Sequence, residues 1–149
     1  MNANLFLLLL LCLSLPLNAQ STKKQSLAGT WYGHITHEGG GYTSQYNFEL
    51  KLYHKGDTLT GHCYVSVDDI YAEISVTGTL HSGVLLQLKD IKILNSREFD
   101  GLEWCMKEYQ LIFKRENKTD LLEGHWQGHT SFSTCIPGKV KLQRLSPRA

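Results

Sequence analysis

Apolar and polar residues alternate with a period of two along most of this chain. That is the mark of strands with one face in a core and one in water. The clearest run sets Tyr46, Phe48, Leu50 and Leu52 against Asn47, Glu49, Lys51 and Tyr53. Eight such runs are predicted, near 28–36, 43–54, 58–67, 71–80, 84–93, 103–115, 121–130 and 139–145, and no stretch reads as a long amphipathic helix. Lys55-Gly56-Asp57 and His81-Ser82-Gly83 mark tight hairpins between them. In the fifth run the apolar phase slips, from Leu86 and Leu88 to Ile91 and Ile93, which predicts a bulge near Lys89-Asp90.

One phrase recurs within the runs: Leu27-Ala-Gly29-Thr-Trp31, Leu59-Thr-Gly61-His-Cys63, Val76-Thr-Gly78-Thr-Leu80 and Leu122-Glu-Gly124-His-Trp126. Its glycine falls on the inward face, where a missing side chain admits a close backbone or a sharp coil, as small barrels require. Consecutive antiparallel strands with one apolar face leave unpaired edges, and closure removes them. The expected fold is therefore all-β, a single eight-stranded up-and-down antiparallel barrel. A β-sandwich competes, but the Cys…Trp…Cys spacing of that architecture is missing.

The chain opens with Leu5–Leu17, an apolar run too short to span a bilayer, followed by Leu17-Asn18-Ala19 before Gln20. Residues 1–19 read as a signal peptide cleaved between Ala19 and Gln20, and residues 20–149 as the barrel domain. Cys12 follows Leu11 rather than a small residue, which argues against a lipid anchor. The chain is expected to be secreted or periplasmic. With 15 basic against 14 acidic residues and no basic run longer than Lys23-Lys24, nucleic acid and anionic membrane surfaces are poor partners. No second stretch could cross a membrane as a helix.

Three cysteines remain after cleavage. Cys63 takes an inward strand position and reads as a small buried hydrophobe. Cys105 and Cys135, the latter beside Pro137-Gly138, are the expected disulfide. The bond would close a loop of about thirty residues, for which chain entropy predicts roughly 3–4 kcal/mol of stabilisation. Asn117-Lys118-Thr119 matches a glycosylation acceptor and also suits a polar hairpin turn.

Gly29-Thr30-Trp31 resembles the motif that opens the first strand of the calycin superfamily, the lipocalins and avidins, whose tryptophan closes one barrel end. Gly124-His125-Trp126 echoes it, and Arg144 holds the late position from which such families stack an arginine on that tryptophan. The resemblance implies a lipocalin-like barrel. It does not imply biotin, because no residue set maps onto the avidin pocket. Nor does it point to the fatty-acid-binding proteins, since no helix pair follows the first strand.

Chemistry is sparse. His34/His37 and His125/His129 have suggestive numerical spacings, but residues three apart on a strand face opposite sides. Those four apart stand about 13 Å from one another, too far for one ion. No metal or cofactor is expected. Ser131, Ser133 and Cys135 near His129 lack a nucleophile-elbow motif, so no enzyme is expected either. The inward aromatic set is the functional lead: Tyr46, Phe48, Tyr109, Phe113 and Trp126, with Lys107 the one charged residue in phase. These six are the candidate ligand-binding residues, for a small apolar or amphipathic ligand in the barrel. Loops 37–42, 95–101 and 131–138 would form its rim. The alternative is a filled barrel acting through its surface, with Tyr32, Tyr53 and Tyr64 exposed, as an inhibitor, envelope accessory or protein-binding module.

Overall fold

The computed structural model describes residues 25–146. The predicted signal peptide and its cleavage point between Ala19 and Gln20 lie outside the described residues. Eight antiparallel strands follow one another around a closed barrel: β1 (Gly29–Thr36), β2 (Gln45–Lys55), β3 (Thr58–Val67), β4 (Ile70–His81), β5 (Leu85–Arg97), β6 (Met106–Glu116), β7 (Thr119–His129) and β8 (Gly138–Arg144). Each strand pairs with its sequence neighbour, and β8 returns to β1 with Gly33 opposite Leu142. Among the described residues no helix is long and apolar enough to cross a membrane.

The period-two faces turn inward as expected. Phe48, Leu50, Leu52, Cys63, Val65, Leu86, Leu111, Leu122 and Leu142 are all buried in one continuous core. The inward glycines of β3, β4 and β7 admit a close neighbour. A methyl on Gly61 would overlap the Lys51 carbonyl oxygen, one on Gly78 that of Gln87, and one on Gly124 that of Gln110. Gly29 departs from that pattern. Nothing lies within 4 Å of its missing methyl, and its φ of 129° marks a backbone that side chains strain to adopt.

The two ends of the barrel differ. At one end, two- and three-residue turns join β2 to β3, β4 to β5 and β6 to β7. Asn117 and Lys118, both with positive φ, make the last of these as a two-residue hairpin turn. Trp31 seals this end. Its indole N–H donates to the Leu27 carbonyl at 3.1 Å, and the Arg144 guanidinium stacks 4.5 Å from its ring centre. Arg144 also donates to the Ala28 and Ser26 carbonyls and pairs with Asp120 at 3.2 Å. The opposite end carries the long connections 37–44, 98–105 and 130–137. The Cys105–Cys135 disulfide, the Glu38 N–H bond to the Pro137 carbonyl and Ser131 bonds to Glu103 tie these loops together.

The fifth strand corrects the sequence reading. β4 and β5 slip twice, so that Ile91 and Leu94 bulge outward, 51% and 53% exposed. Ile91 therefore does not face the core. Asp90, expected at the bulge, keeps the inward phase of Leu86 and Leu88, with a fully buried side chain. β5 also runs on to Arg97, which moves the connecting loop from 95–101 to 98–105. β6 begins at Met106 instead of 103, because the residues before it serve the disulfide and the mouth. β5 and β6 pair only from Leu85–Ile112 to Lys89–Glu108 and then diverge.

Candidate functional site

Where β5 leaves β6, side chains replace the missing ladder. The Lys107 main-chain N–H, which would otherwise face a backbone carbonyl, donates to Asp90 Oδ2 at 2.8 Å. Asp90 Oδ1 accepts the Tyr109 hydroxyl at 3.0 Å, and Cys63 Sγ lies 3.9 Å from both groups. The Lys107 ammonium stands 4.0 Å from Asp90 and donates to the Cys105 carbonyl at 2.8 Å. A buried backbone donor left unpaired costs about as much as a lost hydrogen bond, so this carboxylate closes the seam.

Burial dominates the electrostatics of the cluster. It raises the Asp90 pKa, against the pull of Lys107, which favours the carboxylate. It also pushes the Cys63 thiol and the Tyr109 phenol far above their ordinary ranges, with Asp90 adding to both. A thiol so protonated is a poor nucleophile. The cluster brings titratable groups into hydrogen-bond contact inside the barrel, the inward contact that a barrel enzyme would need and that the sequence did not assemble. Each group is already committed to closing the wall.

Toward the long loops the barrel opens into a cavity of about 180 Å³. Its wall is built by Ile35 at the end of β1, Tyr46 at the start of β2, and Val65 and Ile70 across the β3–β4 turn. Trp104, Lys107 and Trp126 complete it, with Tyr42, Glu98, Leu102 and Glu103 toward the rim. His37 stacks on Tyr46 at 5.2 Å and meets Trp126 edge-on at 5.8 Å. Burial, and secondarily the Lys107 charge, lower the His37 pKa, so this ring joins the wall as a neutral imidazole. The Trp126 indole donates to the Thr36 carbonyl at 2.8 Å, whereas the Trp104 indole N–H is buried and donates to nothing.

The six residues singled out from the sequence are thus distributed over three levels. Tyr46, Lys107 and Trp126 share the cavity wall. Phe48 and Tyr109 stack on each other at 5.8 Å in the layer beneath. Phe113 packs edge-on against Trp31 at the sealed end, 6.3 Å between centroids. The sequence reading passed over Asp90, Trp104 and the two glutamates. Asp90 was detectable as the next inward position after Leu86 and Leu88. Trp104 and the glutamates sit on an irregular loop, where no period assigns a direction.

A wider depression of about 850 Å³ lies on the outer wall over β4 to β8, among outward-facing residues such as Gln87, Glu108, Gln110, His125 and Gln127. It is a shallow concavity open to water on the outside of the barrel, so it encloses a ligand poorly. Among the described residues no three His, Cys, Asp or Glu side chains converge to hold a metal ion.

The fold defines a class, the closed eight-stranded up-and-down barrel, compatible with a lipocalin-like protein. No protein-family model matches the chain, and a search of curated proteins finds no match.

Proposed function

We propose that this chain is an exported, non-enzymatic, lipocalin-like barrel that binds a small, largely apolar ligand in its open mouth. The observation that carries the reading is the cavity between Ile35, Tyr46, Val65, Ile70, Trp104 and Trp126. An apolar wall with a few polar groups at fixed places is what small-molecule sites share. At about 180 Å³ the cavity lies below the roughly 300 Å³ at which drug-sized ligands begin, and equals the liquid volume of about six waters. The ligand, or its inserted end, is accordingly a single ring or a short chain. The disulfide is consistent with an oxidising compartment.

The test uses 2-phenylethanol as probe and the tryptophan indole resonances as reporters. Trp104 and Trp126 are expected to shift on titration, while Trp31, at the far end, stays still. Val65→Trp fills the cavity and should remove the effect. Shifts that persist in Val65→Trp, or no shift at millimolar probe, would overturn the reading. The latter result would favour action through the surface, for which Phe132, 75% exposed on the rim, is the strongest support.

A further inference from the structure

We infer that the mouth cavity takes a small organic cation with an apolar body, an aryl- or alkylammonium rather than a carboxylic acid. The inference deepens the binding reading above and rests on it.

The first argument is charge segregation. The chain as a whole is nearly balanced, with 15 basic and 14 acidic residues. The loops around the mouth, 37–44, 68–69, 98–105 and 130–137, are not. They hold Glu38, Asp68, Asp69, Glu98, Asp100 and Glu103 and no lysine or arginine. Two of these, Glu98 and Glu103, belong to the cavity wall itself. A carboxylate ligand would approach against this field, and an ammonium with it.

The second argument is the wall. Tyr42, Tyr46, Trp104 and Trp126 line the cavity, and aromatic ring faces attract cations; one face of Tyr46 is taken by His37 and one of Trp126 by Lys107. The protein already makes one such contact here, with the Lys107 ammonium 5.6 Å from the Trp126 ring centre. Among the described residues that ammonium is the only lysine or arginine lining the cavity, and it donates to the Cys105 carbonyl and faces Asp90. The floor is therefore an ammonium held by Asp90 and a backbone carbonyl, beneath an anionic rim.

The two wall glutamates divide the work. Glu103 accepts from the Ser131 N–H at 3.0 Å and its hydroxyl at 2.7 Å, which fixes its charge in place. Glu98, on the adjoining exposed turn, is free to close on an ammonium from above. An aromatic enclosure with a carboxylate at its lip suits a charged head that keeps part of its water while its ring is buried.

The experiment compares three probes of one shape on residues 20–149: phenethylammonium, 2-phenylethanol and phenylacetate. Affinities come from the Trp104 and Trp126 indole shifts. The cation is expected to bind at least tenfold tighter than the acid and several-fold tighter than the alcohol, with a lead that shrinks as salt rises from 20 to 500 mM. Glu98→Gln, an exposed change that should leave the thermal midpoint unmoved, is expected to cost the cation about three- to tenfold and to narrow its lead over the alcohol. Equal or tighter binding of alcohol or acid overturns the cation inference and leaves the binding reading standing. A cation lead that Glu98→Gln and salt leave untouched also overturns it. Failure of all three probes overturns both.

Discussion

Removing the Asp90 carboxylate is expected to be among the most damaging single changes to this barrel. Its side chain is fully buried and has four partners: the Lys107 main-chain N–H at 2.8 Å, the Tyr109 hydroxyl at 3.0 Å, the Cys63 thiol at 3.9 Å and the Lys107 ammonium at 4.0 Å. Asp90→Ala leaves all four in the core without it. A hydrogen bond to a charged group contributes about 1.5–3 kcal/mol net, and breaking a buried ion pair by removing one member costs about 3–5 kcal/mol. These terms share the same atoms, so they do not add, and the expected loss is about 3–5 kcal/mol. At roughly 3 °C per kcal/mol for a domain of this size, the midpoint falls by about 10–15 °C. Urea unfolding followed by tryptophan fluorescence measures the loss directly. Asp90→Asn keeps an acceptor for the N–H and should lose less, and Asp90→Leu combined with Lys107→Met should regain much of the difference.

The pH dependence sharpens the test. Burial, the largest influence, raises the native pKa of Asp90 above its ordinary 3.8. The folded chain therefore holds this proton to higher pH than the unfolded chain. Stability from such a group is complete below the unfolded pKa and declines as pH rises through the native one. The advantage of the wild type over Asp90→Asn should be largest in acid and shrink as pH rises. A cost for Asp90→Ala below about 1 kcal/mol would refute the seam-closing role, and a wild-type advantage that grows with pH would refute the upward shift of the Asp90 pKa.

Three further outcomes are expected. Replacing Cys105 and Cys135 with serine should cost about 3–4 kcal/mol in chemical denaturation, with faster amide exchange confined to loops 98–105 and 130–137. In the same protein Cys63 should resist a thiol reagent until urea unfolds the chain. Gly61→Ala, whose methyl meets the Lys51 carbonyl, should destabilise by about 1–3 kcal/mol or more and exceed Gly56→Ala. Gly56 has φ of 64° with open space around it, so alanine there meets only the backbone strain of about 1–2 kcal/mol. Thermal midpoints that rank the two in reverse would count against the close-packed glycines.

Strand number, order of faces and the core were legible because period-two alternation is a local property, repeated at every residue of a half-buried strand. The disulfide was legible by position, whereas Trp31 as an end seal was implied only by the resemblance of Gly29-Thr30-Trp31 to the calycin motif. Cys63 was read correctly as a buried hydrophobe. The inward phase even reached Asp90, but a polar residue in an apolar run reads as a bulge until its partners are seen.

What the sequence by itself determined is the barrel: alternation dictates which side chains leave water, and eight amphipathic strands have closure as the remedy for their edges. The tertiary structure decided everything that depends on meeting across the barrel. It joined Asp90 to the main chain of a residue seventeen positions away, set Trp104, Glu98, Tyr46 and Trp126 around one cavity, and brought loops that carry six acidic residues to one end of the barrel. Such encounters follow from strand register and loop closure, which couple residues far apart in the chain and leave no period to read.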